Sequence, residues 1–96
     1  VPEPRTYQEL FDADVAVRDP GNAWQGLRAW SAEERTAIEL GVRATVVDVV
    51  TCRALTIVEV DFTNPPAWPD HCPSRSTFVH HLEAGRSRQV SIYYHA

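Results

Sequence analysis

The spacing of apolar and polar positions along this 96-residue chain changes period several times, and each change marks an element. The leader Val1–Arg5 alternates prolines and excludes helix. Thr6 then stands as an N-cap, and Tyr7, Leu10 and Phe11 form a short apolar stripe, which predicts a helix of about two turns. From Val15 the period drops to two: Val15, Val17 and Asp19 point to one side, Ala16 and Arg18 to the other. Pro20-Gly21 ends that strand, because Pro20 cannot donate to a ladder and Gly21 tolerates positive φ. Trp24–Arg35 reads as a helix with Leu27 and Trp30 on one side. Ser31-Ala-Glu-Glu34 also fits a capping box, which would start a helix at residue 32 and carry it through Leu40. Against that, Ile38, Leu40 and Val42 alternate with Glu39, Gly41 and Arg43 as well as any strand.

The second half is β-prone. Thr45–Val50 and Leu55–Thr63 are rich in Val, Ile and Thr and are joined by a tight turn at Thr51–Ala54. Along the latter, Val58, Val60 and Phe62 face one way and Ile57, Glu59 and Asp61 the other; the two acids fit a solvated face or a carboxylate pair in a pocket. Asn64–Arg75 carries four prolines and Trp68, stiff enough for a lid or rim with Trp68 as its apolar contact, or for a plug tucked onto the sheet. Ser76–Glu83 and Gln89–His95 form a last hairpin turning at Ala84–Ser87.

Composition narrows the classes. The length fits one domain with a single core. A net charge of −4 leaves no electrostatic footprint for nucleic acid or an anionic membrane. All nine basic residues are Arg, a bias of high-GC bacterial coding. No apolar run approaches the roughly 20 residues of a membrane span. With no signal peptide in view, Cys52 and Cys72 read as reduced thiols of a cytoplasmic protein.

Two features carry candidate chemistry. Asp19 ends a strand on its inward face, as a turn anchor or as a working acid. His80 and His81 are adjacent in a strand, so one of them faces inward in either register; apolar content favours Phe78, His80 and Leu82 as the inward set. His71 and Cys72 with those histidines match no standard zinc spacing, and neither a nucleophile elbow nor a glycine-rich phosphate loop is present, so no metal is expected.

LFDADVAVRDPGNAWQGLRAW, Leu10–Trp30, resembles the strand-and-helix signature of the SnoaL-like and ketosteroid-isomerase-like proteins of the NTF2-like superfamily, and TFVHHLEAGRSRQVSIYYH matches their closing hairpin in length and pattern. The resemblance implies a cone-shaped α+β fold, with two or three short helices packed into the concave side of a strongly curved, mostly antiparallel sheet. It places a long strand over Thr36–Val50, bulged at Gly41, and ends the preceding helix near Arg35. The family's usual first long helix has no counterpart before Thr6. The resemblance also implies cofactor-independent isomerase, cyclase or dehydratase chemistry on an apolar polycyclic or polyketide-like molecule, in a domain that dimerises through its outer sheet face. Asp19 falls on the family's catalytic base. Counting back ungapped from the Glu83-Ala84-Gly85 turn puts Thr77, Val79 and His81 on the pocket face, with Thr77 at the family's oxyanion-hole acid. His80 or His81, with Tyr93 or Tyr94, would polarise a substrate carbonyl. Val15, Val17, Trp24 and Trp68 complete the expected pocket. The same cone without chemistry would be a ligand-binding or dimerisation module.

Overall fold

The computed structural model describes residues 7–69 and 72–95. A short 3-10 turn, Tyr7–Leu10, leads into strand β1, Phe11–Asp19, and β2, Asn22–Gln25. Helix α1 spans Leu27–Glu39, and four strands follow: β3 Arg43–Cys52, β4 Leu55–Thr63, β5 Arg75–Glu83 and β6 Arg86–His95. All six strands form one sheet in the order β2-β1-β6-β5-β4-β3, antiparallel throughout except for the parallel pair β1 and β6. The parallel pair joins the two ends of the chain, and the helix crosses between the β1–β2 hairpin and the β3–β6 meander. This is the expected α+β class on a mixed, mostly antiparallel sheet, but among the described residues one α-helix and a single 3-10 turn stand where two or three short helices are expected. No helix among the described residues is long and apolar enough to cross a membrane.

Registers define two faces. Val17 stands beside Trp24 and Val90, His80 beside Val90, Phe78 beside Ile92 and Val58, and Ser76 beside Tyr94 and Val60; these share the face that α1 covers. Thr77 stands beside Glu59 and Tyr93, and His81 beside Leu55 and Gln89, on the outer face. The core lies under the helix at one end of the sheet: Phe11, Val15, Val17, Trp30, Val90 and Ile92 are buried, with Trp24, Leu27 and Phe78 packed against them. Complete burial of a valine contributes about 1.5 to 3 kcal/mol, so Val15 and Val17 fix the β1 register as the alternation required.

Several expectations are corrected. The helix does not stop near Arg35 but continues to Glu39, and the strand begins at Arg43 instead of Thr36. Gly41 is not a bulge. Its φ of 102° and the bonds from Val42 N–H to the Ala37 carbonyl and from Gly41 N–H to the Ile38 carbonyl make a Schellman stop. That local closure outweighs the strand-like alternation of Ile38, Leu40 and Val42. Ser31 accordingly sits inside the helix, and the N-cap is Gly26, with no side-chain cap. The bulge of the long strand lies between Val46 and Asp48, where the extra residue bends the sheet and exchanges which side chains face inward.

The second correction is β2: Trp24 belongs to a strand rather than to the start of the helix. The third is the last hairpin, whose two-residue turn Ala84-Gly85 has φ of 53° and 78°, the left-handed pair that a tight hairpin turn demands. Tyr7–Leu10 is a single 3-10 turn rather than a two-turn helix. The expectations for Val1–Thr6 and for His71 lie outside the described residues.

Candidate functional site

Strand β1 delivers Asp19 to the concave side by simple alternation after the buried Val15 and Val17. Pro20-Gly21 then turns the chain so that Asn22 stands opposite Asp19, with Gly21 at φ 109°, as a Pro-Gly type II corner requires. Strand β6 rises from the buried Val90 and Ile92 to the half-exposed Tyr94 on the same face. Because β6 lies beside β1, the Tyr94 hydroxyl reaches across and donates to Asp19 Oδ2 at 2.6 Å. Asp19 Oδ1 is buried and has no hydrogen-bond partner. The turn-anchor role is therefore not what holds this carboxylate: its partner is a side chain 75 residues away on the neighbouring strand β6, not the backbone of the Pro20-Gly21 corner.

Burial first, then the bond to Asp19 and the charges of Asp19 and Glu33, hold the Tyr94 phenol well above its ordinary pKa. Tyr94 is consequently a neutral donor throughout the physiological range. A carboxylate with one oxygen held by a phenol and the other without a partner is oriented and has one acceptor position unfilled.

Asp19 and Tyr94 lie on the wall of a cavity of about 860 Å³ between α1, the concave face and the 64–73 loop. The sheet contributes Trp24, Phe62, Phe78 and Ile92 to the wall, and the loop contributes Trp68 and Cys72. Helix α1 contributes Trp30, Glu33, Glu34, Ala37 and Ile38. These follow the i, i+3, i+4, i+7, i+8 spacing of one helical face. The Trp24 and Trp30 rings meet edge to face, 5.1 Å apart at 62°. A smaller groove of about 390 Å³ on the outer side is mostly polar, with Asp14, Gln25, His81, Glu83 and Arg88 on its wall.

The structure thus brings together Asp19, Trp24, Trp68 and Tyr94, while Val15 and Val17 support them from the core. It does not bring the others there. Thr77 bonds Glu59 Oε1 at 2.8 Å and His95 Nε2 at 2.6 Å on the outer face, where Tyr93 and His81 are also exposed. The ungapped count therefore gives the wrong face, and the apolar set Phe78, His80 and Leu82 gives the right one. His80 does face inward, but beneath the cavity: its ring lies between Phe11 and Phe78, and Nδ1 bonds Ser87 Oγ at 2.9 Å. Burial, with a smaller contribution from His81, lowers its pKa from the ordinary 6.5.

Among the described residues no group of three or more His, Cys, Asp or Glu side chains is gathered for a metal. Cys52 ends β3 and Cys72 lies in the loop before β5, and both are free thiols. The residues missed from sequence are Glu33 and Glu34 on the inward helix face. Their signal was the helical spacing from Trp30 to Ile38, hidden by the assumed helix end at Arg35.

No family model matches the chain, and no curated protein matches it. Solved structures do. A protein assigned as a polyketide cyclase in Sinorhizobium meliloti matches with a TM-score of 0.66 at 24% identity, over 88% of this chain and 75% of that one. An isomerase assigned to the SnoaL-like family in Agrobacterium tumefaciens matches with a TM-score of 0.73 at 17% identity, over 93% of this chain and 77% of that one. A protein assigned as a ketosteroid isomerase in Kribbella flavida matches with a TM-score of 0.77 at 14% identity, over 94% of this chain and 64% of that one. The topology, the α-helix on the curved sheet and these matches agree: the chain has the NTF2-like fold.

Proposed function

We propose that the chain binds a small apolar molecule in the concave cavity and moves a proton on it, as an isomerase, cyclase or dehydratase without a cofactor. The observation that carries this reading is the Asp19 carboxylate on an aromatic wall, with Oδ2 held by Tyr94 and Oδ1 buried and bare. Asp19 takes a proton from a carbon next to a carbonyl. The electron pair moves onto the carbonyl oxygen as an enolate, and the protonated acid returns the proton to the same or a conjugated carbon. Tyr94 keeps the carboxylate pointed at that carbon, and the tryptophans exclude water from the apolar part of the ligand. The matched isomerase and cyclase structures support this class of chemistry by fold analogy alone.

The outer sheet face, with Ile57, Val79 and Tyr93 among its side chains, suits a homodimer contact. Free thiols suit a cytoplasmic location. The test is solvent deuterium incorporation into a cyclic β,γ-enone, followed by NMR. Wild type is expected to exceed Asp19→Asn by about 100-fold or more, with both proteins melting alike. Equal rates would leave a ligand-binding module without chemistry.

A further inference from the structure

We propose that Asn22 is a second catalytic residue of the cavity: its side-chain amide donates to the carbonyl oxygen of the ligand while Asp19 takes the neighbouring proton. This rests on the proton-transfer reading of the cavity and supplies the donor which that reading needs.

An enolate forms readily only where the charge growing on its oxygen is stabilised, so the base requires a donor beside it. The residues expected to provide one lie elsewhere. Thr77, His81 and Tyr93 are on the outer face, and His80 is beneath the cavity with its Nδ1 bonded to Ser87. The Tyr94 hydroxyl has one proton, and it goes to Asp19 Oδ2. Asn64 Nδ2 donates to the Pro73 carbonyl at 3.0 Å, and Arg43 Nη1 donates to the carbonyls of Ile38 at 3.2 Å and Val42 at 2.9 Å. These two also belong to the far wall, at β4 and β3, three and four strands from β1 in the sheet order. Trp24 is deeper on β2, opposite Val17, with its ring against Trp30.

Asn22 differs on each count. It opens β2 directly opposite Asp19 in the antiparallel register, across the Pro20-Gly21 turn, and both residues belong to the cavity wall. Side chains opposed in this way share a face, with Cβ atoms about 4.5 to 5.5 Å apart. A ketone carries its acidic C–H and its oxygen on adjacent carbons, so a carboxylate and an amide at that spacing reach both together. Among the described residues the Asn22 amide has no hydrogen-bond partner, so a ligand oxygen displaces no protein bond there. When Asp19 takes the proton, the C–H electron pair becomes the new C=C bond and the carbonyl π pair moves onto oxygen. Asn22 keeps its own protons throughout, and return of the proton from Asp19 restores the carbonyl.

The experiment measures deuterium exchange into cyclohex-3-enone and, separately, the infrared carbonyl stretch of bound cyclohex-2-enone, in wild type, Asn22→Ala and Asn22→Leu. Both variants are expected to lower kcat by about 100-fold with KM within about three-fold, as for a bond that strengthens in the transition state. The bound carbonyl is expected to stretch at lower frequency in wild type than in either variant. Asn22→Leu is close to asparagine in size and has no donor, so the test does not hang on Asn22→Ala folding. A carbonyl frequency unchanged by both substitutions overturns the proposal whatever the rates, and so does a kcat within about three-fold of wild type; either result leaves Asp19 as the base. Wild-type exchange no faster than that of Asp19→Asn overturns the proton-transfer reading and this proposal with it.

Discussion

At the residue scale, the polar groups on the concave face have separate tasks. Asp19 and Tyr94 meet at the cavity wall, whereas His80 is enclosed between two phenylalanines and bonded to Ser87. The depressed pKa of His80 has a stability consequence. Its neutral form is preferred in the folded state, so its contribution is fully present above the ordinary value of 6.5 and is lost as pH falls through the lower folded value. Urea unfolding at pH 7.5 and at pH 5 is expected to show lower stability at pH 5, and His80→Leu is expected to remove most of that difference. An unchanged difference in His80→Leu would assign the acid sensitivity to other groups. The inward position of Asp19 was legible in the sequence because side-chain alternation is a local rule. Its bond to Tyr94 was not, because 75 residues separate the two and only the parallel pairing of β1 with β6 makes them neighbours.

At the element scale, the segment from Thr36 to Val42 shows how a short polar signal can override an apolar pattern. Strand alternation and helical spacing coexist there, and the decision falls to Gly41, whose left-handed backbone closes the Schellman motif. A Cβ at Gly41 would meet nothing nearer than Pro65 Cγ at 3.8 Å, so the cost of a side chain lies in the backbone alone. Gly41→Ala is expected to destabilise the fold by about 1 to 2 kcal/mol, read from the shift in urea midpoint at unchanged slope; no shift would contradict the helix stop. The four residues of β2 escaped notice because so short a strand has room for hardly one period of alternation, and Trp24 is equally at home beginning a helix. The β3 bulge was equally unreadable: a pair of consecutive valines on each side of Asp48 puts apolar residues on both faces, and only the pairing with β4 shows where one residue is extra.

At the scale of the whole molecule, the sheet divides the chain into an inner side with a cavity and an outer side with a polar and apolar mosaic. Glu59, Thr77 and His95 are linked there, and Asp61 and Arg75 are paired beside Ile57 and Val79. Homodimerisation through this face is expected to give twice the 10.8 kDa chain mass in sedimentation equilibrium, and Val79→Arg is expected to return it to a monomer. A wild-type monomer at tens of micromolar would refute that contact. The cone-shaped α+β fold was legible from the chain's β-rich second half and its first strand. Which face is which depended on register, a non-local property that moved Thr77, Tyr93 and His81 outward. The central claim, that the concave cavity is the ligand site, is tested most directly by two-dimensional NMR of the indole N–H groups during titration with the cyclic β,γ-enone. The account predicts that Trp24, Trp30 and Trp68 shift together, along with the amides of Asp19 and Tyr94, while Thr77 and His81 stay still; shifts confined to His81, Gln89 and their outer-face neighbours would contradict it.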